Sequence, residues 1–240
     1  MSMELFLRTY KKLLRSPLDF VYHGSKLKLR RYQQSVLHAV IDSVLHNRGL
    51  NLVVMFPRQS GKNELQAQVE VYLLTLLSEA PVEMVKISPT LCPQSENSMR
   101  RFEKVATQNI FTSRLWKKES GSGYRIGRAR LSFLSGAPES NIVGATASGL
   151  LEVDEAQQVS ILKYDRDISP MTASTCATCV FWGTAWTSTT LLGREMRSAL
   201  AAEKADGLRR VFKLTADEVA AEVAPYRRHL SERVASLGRN

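Results

Sequence analysis

Two short stretches hold residues whose types and spacing could do chemistry. The first is Arg58-Gln59-Ser60-Gly61-Lys62-Asn63, a polar loop with a Gly-Lys pair. It follows the apolar run Leu52 to Phe56, which Pro57 closes, and it precedes the helical-looking segment Glu64 to Ser78. A tight loop between strand and helix offers backbone N–H groups and a helix N-terminus to an anion, and the lysine adds positive charge. The second stretch is Asp154-Glu155, at the end of the short apolar run from Gly149. In a phosphate-handling site one such carboxylate holds Mg²⁺ through water and the other deprotonates an attacking water. The loop departs from the general G-x-x-x-x-G-K-[ST] pattern at two places. Phe56 stands where the first glycine belongs, and Asn63 stands where a hydroxyl residue would touch the metal. Glu152, inside the acidic strand, needs a buried partner if that strand is central.

The elements that must position these residues can be read along the chain. A charged amphipathic helix over 4–15 ends at Ser16-Pro17. Residues 17–28 lead in, and a helix opens at Leu29-Arg30-Arg31-Tyr32-Gln33-Gln34 and runs to about Asn47, with Gly49 past its end. After the loop and its helix come a strand over Val82 to Ser88 and a helix over Gln94 to Gln108, with Met99, Phe102 and Val105 inward. Tyr124 to Ser135 alternates as a hairpin should. Leu162 to Ile168 reads as helix, Ala177 to Gly183 as buried strand, Thr189 to Ala205 as helix and Leu208 to Leu214 as strand. Thr215 caps a helix, and Pro225 starts the last one.

Strands alternating with helices predict an α/β fold: a three-layer sandwich with a mainly parallel central sheet and helices on both faces. Ligands in such sheets lie beyond the C-terminal ends of the strands. Lys62, Asp154-Glu155 and Thr184 all follow a strand end. The strands Asn51 to Phe56 and Leu150 to Val153 are expected to be inner neighbours.

Composition narrows the class. The chain has 240 residues, 44% of them hydrophobic, enough for a substantial core. Its net charge of +10 favours a polyanionic partner, most simply nucleic acid. No apolar run has the length of a membrane span, and the N-terminus lacks the features of a signal peptide, so the chain reads as intracellular. Cys176-x-x-Cys179 has metal-like spacing, but Cys92 and four scattered histidines make a poor complement, and the cysteines read as reduced thiols.

The ordered set LRRYQQ, FPRQSGKNE, SPTLCPQSENSMRRF, SNIVGATASGLLEVDEAQ and FWGTAWTSTT resembles the large terminase subunits of tailed bacteriophages. The resemblance spans residues 29–190 and extends more weakly to VAPYRRHLSERVASLGRN. It implies a P-loop ATPase domain at 29–214, preceded by a lead-in at 1–28 and followed by a helical linker at 215–240 towards a nuclease half. The implied activity is ATP hydrolysis that drives double-stranded DNA into a prohead in the host cytoplasm. The implied cofactors are ATP and Mg²⁺. The implied partners are DNA, the portal protein, the small terminase subunit and, when assembled, further copies in a ring, with a monomer in isolation.

Roles follow from the resemblance position by position. Tyr32-Gln33 resembles the adenine-recognising Q motif. Pro57, Arg58, Gln59, Ser60, Gly61, Lys62 and Asn63 resemble the family's deviant phosphate loop, which commonly carries Arg and lacks the first glycine. Asp154 and Asn63 are then the metal residues and Glu155 the catalytic acid, with Lys62 and Arg58 acting on the phosphates. Gly183-Thr184-Ala185 resembles the coupling motif. Val143 stands where many relatives carry an arginine just before the glycine, so a neighbour's arginine must come from elsewhere. Arg125, Arg128 and Arg130 are the candidates, and Arg58 within its own subunit is the fallback. Two rival readings remain: a helicase-type ATPase, which needs a second core domain, and a DNA-docking module with a decayed ATP site.

Overall fold

The computed structural model describes residues 10–119 and 121–237. Residues 10–15 are helical, and the rest of the expected first helix lies outside the described residues. The helices that build the layers are α1 (Arg31–Leu45), α2 (Lys62–Leu76), α3 (Glu96–Gln108), α4 (Leu191–Asp206), α5 (Ala216–Glu222) and α6 (Ala224–Leu237). The strands are β1 (Asn51–Met55), β2 (Glu83–Ser88), β3 (Trp116–Lys118), β4 (Gly123–Ile126), β5 (Ala129–Ser135), β6 (Leu150–Val153), β7 (Thr178–Gly183) and β8 (Val211–Lys213).

These strands form one sheet in the order β3-β4-β5-β2-β6-β7-β1-β8. From β5 to β8 every pairing is parallel, and β3-β4-β5 is an antiparallel edge. Strands β6 and β7 are buried along their whole length, as parallel strands covered on both faces must be. One face packs Leu52, Val54, Val180 and Trp182 against α1, α2 and α3. The other packs Val53, Val153 and Phe181 against α4 and the helical turns over 161–172. The result is the expected three-layer α/β sandwich.

One expectation about strand order is corrected. Strands β1 and β6 are both internal but are not neighbours, because β7 pairs with each of them. Alternation of strands and helices predicts a parallel sheet without ordering it; order is set by long-range packing. The consequence is functional: the turn after β7, with Thr184, is inserted between the glycine-lysine loop and the acidic pair.

Helix α2 is unusual in being covered nearly all round. Gln66, Gln68 and Glu70 are buried along with its apolar residues. Helices of this kind lie inside a fold, and their polar side chains need internal partners. Helix α5 begins as expected, with a reciprocal cap in which Thr215 Oγ1 accepts from the Glu218 N–H and Glu218 accepts from the Thr215 N–H.

Candidate active site

Strand β1 delivers the chain to its C-terminal edge at Phe56, and the loop 57–61 turns it into α2. The turn uses two residues at positive φ, Gln59 at 63° and Gly61 at 88°. Gly61 is the N-cap of α2, and a side chain there would collide with Gln33 Nε2 and Arg30 Nη1. Those two groups hold the loop from behind. Arg30 Nη1 and the Tyr32 hydroxyl both donate to the Ser60 carbonyl at 2.8 Å, and Gln33 Nε2 donates to the Gly61 carbonyl at 3.0 Å. With the Ser60 and Gly61 carbonyls tied back, the Gly61 and Lys62 amides at the start of α2 are left for a cleft of about 420 Å³, while the Ser60 N–H donates to the Pro57 carbonyl inside the loop. Ser60 Oγ is buried inside the loop, away from the cleft lining, and has no hydrogen-bond partner among the described residues.

The cleft is lined by Arg30, Pro57, Arg58, Gln59, Gly61, Lys62, Asn63, Glu64, Arg101, Glu155 and Thr184. Lys62, Glu155 and Thr184, read from three separate stretches, therefore meet at one edge of the sheet. Lys62 is buried, and its Nζ donates to Glu155 Oε1 at 2.5 Å and lies 4.0 Å from Asp154 Oδ1. Glu155 sits at φ 44°, a left-handed conformation that turns its side chain towards the lysine directly after the strand. Gln157 Nε2 donates to Glu155 Oε2 at 2.5 Å, and its Oε1 accepts from the Thr184 N–H at 3.3 Å. Gln157 thus bridges the acid to the turn after β7. Gly183 leaves the room: a side chain there would strike Gln157 Oε1 and Leu192.

Asn63 is exposed in the first turn of α2, facing the cleft. Asp154 is buried behind the loop, and its Oδ1 accepts from Gln66 Nε2 at 2.8 Å. Tyr32 and Gln33 do not line the cleft. Both ends of the Gln33 amide are bonded inside the fold, to the Arg30 N–H and the Gly61 carbonyl, so the structure brings this pair to the back of the loop.

Arg125, Arg128 and Arg130 lie at the opposite edge, beside the start of β2. Arg130 faces Glu83 and Glu119, Arg125 pairs with Glu119 at 3.2 Å, and Arg128 donates to the Glu79 carbonyl. None reaches the cleft of its own chain.

Glu152 has its partners beneath the cleft, between the sheet and α2. Trp182 Nε1 donates to its Oε1 at 2.8 Å. Its Oε2 and that of Glu70 are both buried without a donor, and the two carboxyls are within hydrogen-bonding reach of each other. Burial, and then the Glu70 charge, push the Glu152 carboxyl well above the usual range, while Lys86 and the Trp182 N–H pull it the other way. Burial would lower the Lys86 ammonium, but Glu70, Glu152 and Asp154 outweigh it and hold Lys86 charged.

No family model matches this sequence, and no curated protein matches it. Solved structures do. The HK97 bacteriophage large terminase superposes with a TM-score of 0.67 at 16% identity, over 85% of this chain and 43% of that one. The fold is that of phage large terminases. The large terminase of a thermophilic bacteriophage, solved in complex with ADP, matches at 0.62 and 12% identity over 84% of this chain and 49% of that one. The Thermus phage P74-26 large terminase ATPase domain matches at 0.53 and 16% identity, over 71% of each chain. This chain spans less than half the length of the HK97 terminase and of the terminase solved with ADP.

Residues missed in the sequence sharpen this picture of a terminase fold. Arg30 fastens the loop, Gln157 joins Glu155 to Thr184, and Arg101 on α3 reaches the cleft while paired with Glu64 at 3.0 Å. Arg101 gives no local sign of this, because its place follows from the packing of α3 beside α2. Gln66 is detectable in principle, as a polar residue in a helix otherwise buried.

Proposed function

We propose that this chain is the ATPase domain of a DNA-packaging large terminase, with residues 29–214 as the catalytic unit, 1–28 as a lead-in and 215–240 as a linker. The observation that carries the reading is the convergence of Lys62, Glu155 and Thr184 on one cleft, against a loop whose carbonyls are tied away from it. The Gly61 and Lys62 amides at the start of α2, with the Lys62 ammonium beside them, fit a polyphosphate, and one of the similar terminases was solved with ADP bound. Asp154 and Asn63 would hold Mg²⁺, a metal that takes few protein oxygens and completes its shell with phosphates and water. Bound there, Mg²⁺ would neutralise charge developing on the transferring phosphoryl.

The chain's own residues then divide the work. Lys62 Nζ exchanges Glu155 for the phosphate oxygens, which together carry more negative charge than one carboxylate. Glu155 Oε1, freed by that exchange, accepts the proton of the attacking water. Gln157 keeps Glu155 Oε2 in place and carries any movement of it to the Thr184 backbone. Arg58 and Arg101, both at the cleft wall, add charge near the phosphates. Arg125, Arg128 and Arg130 face away from their own cleft and could serve only that of a neighbouring subunit in a ring. The +10 charge supports double-stranded DNA as the polymer moved, and portal and small subunit are the further partners the reading implies.

Phosphate release from ATP by the purified chain, with and without Mg²⁺ and duplex DNA, tests the reading. Turnover should require the metal and rise with DNA. A folded chain that binds no nucleotide would leave the DNA-docking reading in its place.

A further inference from the structure

The polar cluster under the cleft suggests a role beyond filling the interface, on the reading that Asp154 holds a divalent metal. Gln66 and Glu70 are one turn apart on the same face of α2, and Lys86 faces them from β2. Gln66 and Glu70 are fully buried and Lys86 nearly so. Lys86 Nζ donates to Glu70 Oε1 at 2.7 Å and to Gln66 Oε1 at 3.2 Å. Gln66 Nε2 donates to Asp154 Oδ1 at 2.8 Å.

We propose that Gln66 and Lys86 are positioning residues for Asp154, a relay that fixes which of its oxygens is free for the metal. The amide of Gln66 has two orientations. In one, its oxygen meets the ammonium of Lys86 and its NH₂ meets the carboxylate. In the other, NH₂ opposes ammonium and oxygen opposes carboxylate, two repulsions in a buried site where such contacts are costly. The Lys86 charge therefore locks the amide, and the locked amide occupies Asp154 Oδ1. Oδ2 is left without a protein hydrogen-bond donor among the described residues. Glu70 keeps the lysine charged and in place, since an unpaired buried ammonium would be far less stable. Partners of a metal-holding carboxylate act on metal affinity through this kind of orientation.

The test is a titration with Mn²⁺, followed by its electron paramagnetic resonance signal, in the presence of a non-hydrolysable ATP analogue. Gln66→Met keeps length and volume but removes both hydrogen bonds. Lys86→Met combined with Glu70→Gln removes the charge pair without stranding either ion. Each is expected to raise half-saturating Mn²⁺ by about 10- to 100-fold, while metal-free binding of the analogue changes little and the fold is retained at a lower thermal midpoint. Unchanged Mn²⁺ binding in either folded variant overturns the relay. Equal loss of metal-free analogue binding, or loss of the fold in both variants, shows the cluster to be structural and overturns it too. If the unsubstituted chain binds neither analogue nor Mn²⁺, the ATPase reading itself fails, an outcome distinct from these.

Discussion

The two edges of the sheet both carry cationic side chains, yet they use them differently. At the C-terminal edge, Arg30, Arg58, Lys62 and Arg101 line a concave cleft built on backbone amides. At the N-terminal edge, Arg125 and Arg130 direct their charge at Glu119 and Glu83 on a partly exposed surface. Number of charges does not separate the edges; geometry does. At one, parallel strands, a helix N-terminus and a tied-back loop all aim at the same volume. At the other, the arginines answer neighbouring carboxylates across a hairpin, where exposed ion pairs are worth about 0–1 kcal/mol.

The contrast breaks most visibly at Glu155. Glu155→Gln is expected to lower the rate of phosphate release by about 10²–10⁴-fold, the range for loss of a general base, with nucleotide affinity retained. Affinity falling in step with turnover would make Glu155 a structural residue. Lys62→Ala comes next. Losing a charge-assisted contact to phosphate costs about 1.5–3 kcal/mol, so calorimetric titration should show nucleotide binding weakened by roughly 10- to 100-fold.

Much of this cleft is legible in the sequence, because its parts are local. A strand, a Gly-Lys loop and a helix are consecutive, and an acidic pair at a strand end needs no distant information. The tertiary parts are not legible. The place of β7 between β1 and β6 depends on how crossovers pack, and the strand β3 is too short to show a pattern. Arg30, Arg101 and Gln157 reach the site by folding alone. Tyr32 and Gln33 are visible as a pair tied to the nucleotide, but their hydrogen bonds run to the loop backbone. Glu152 is the instructive case: its misfit inside an apolar strand announces a buried partner, and the partners come from α2, β2 and β7.

Smaller effects sharpen the contrast further. Affinity for duplex DNA should fall steeply between low and physiological salt, without regard to base sequence, as phosphate contacts dictate; flat binding would reduce the +10 charge to a matter of solubility. Arg130→Ala should leave nucleotide affinity of the dilute chain untouched and shift the thermal midpoint by little. Under ring-forming conditions, a Glu155→Gln subunit should restore activity to an Arg125→Ala, Arg128→Ala or Arg130→Ala neighbour if that arginine acts across the interface. If none of these variants loses activity in the ring, the arginine lies elsewhere, and Arg58, acting within its own subunit, becomes the better candidate.

The most direct measurement is a structure of the chain with Mg²⁺ and a non-hydrolysable ATP analogue. The β- and γ-phosphates should lie within hydrogen-bonding reach of the Gly61 and Lys62 amides, with Lys62 Nζ moved from Glu155 onto the phosphates. Lys62 still bound to Glu155, with the phosphates seated on Arg125, Arg128 and Arg130 at the other edge, would contradict the account.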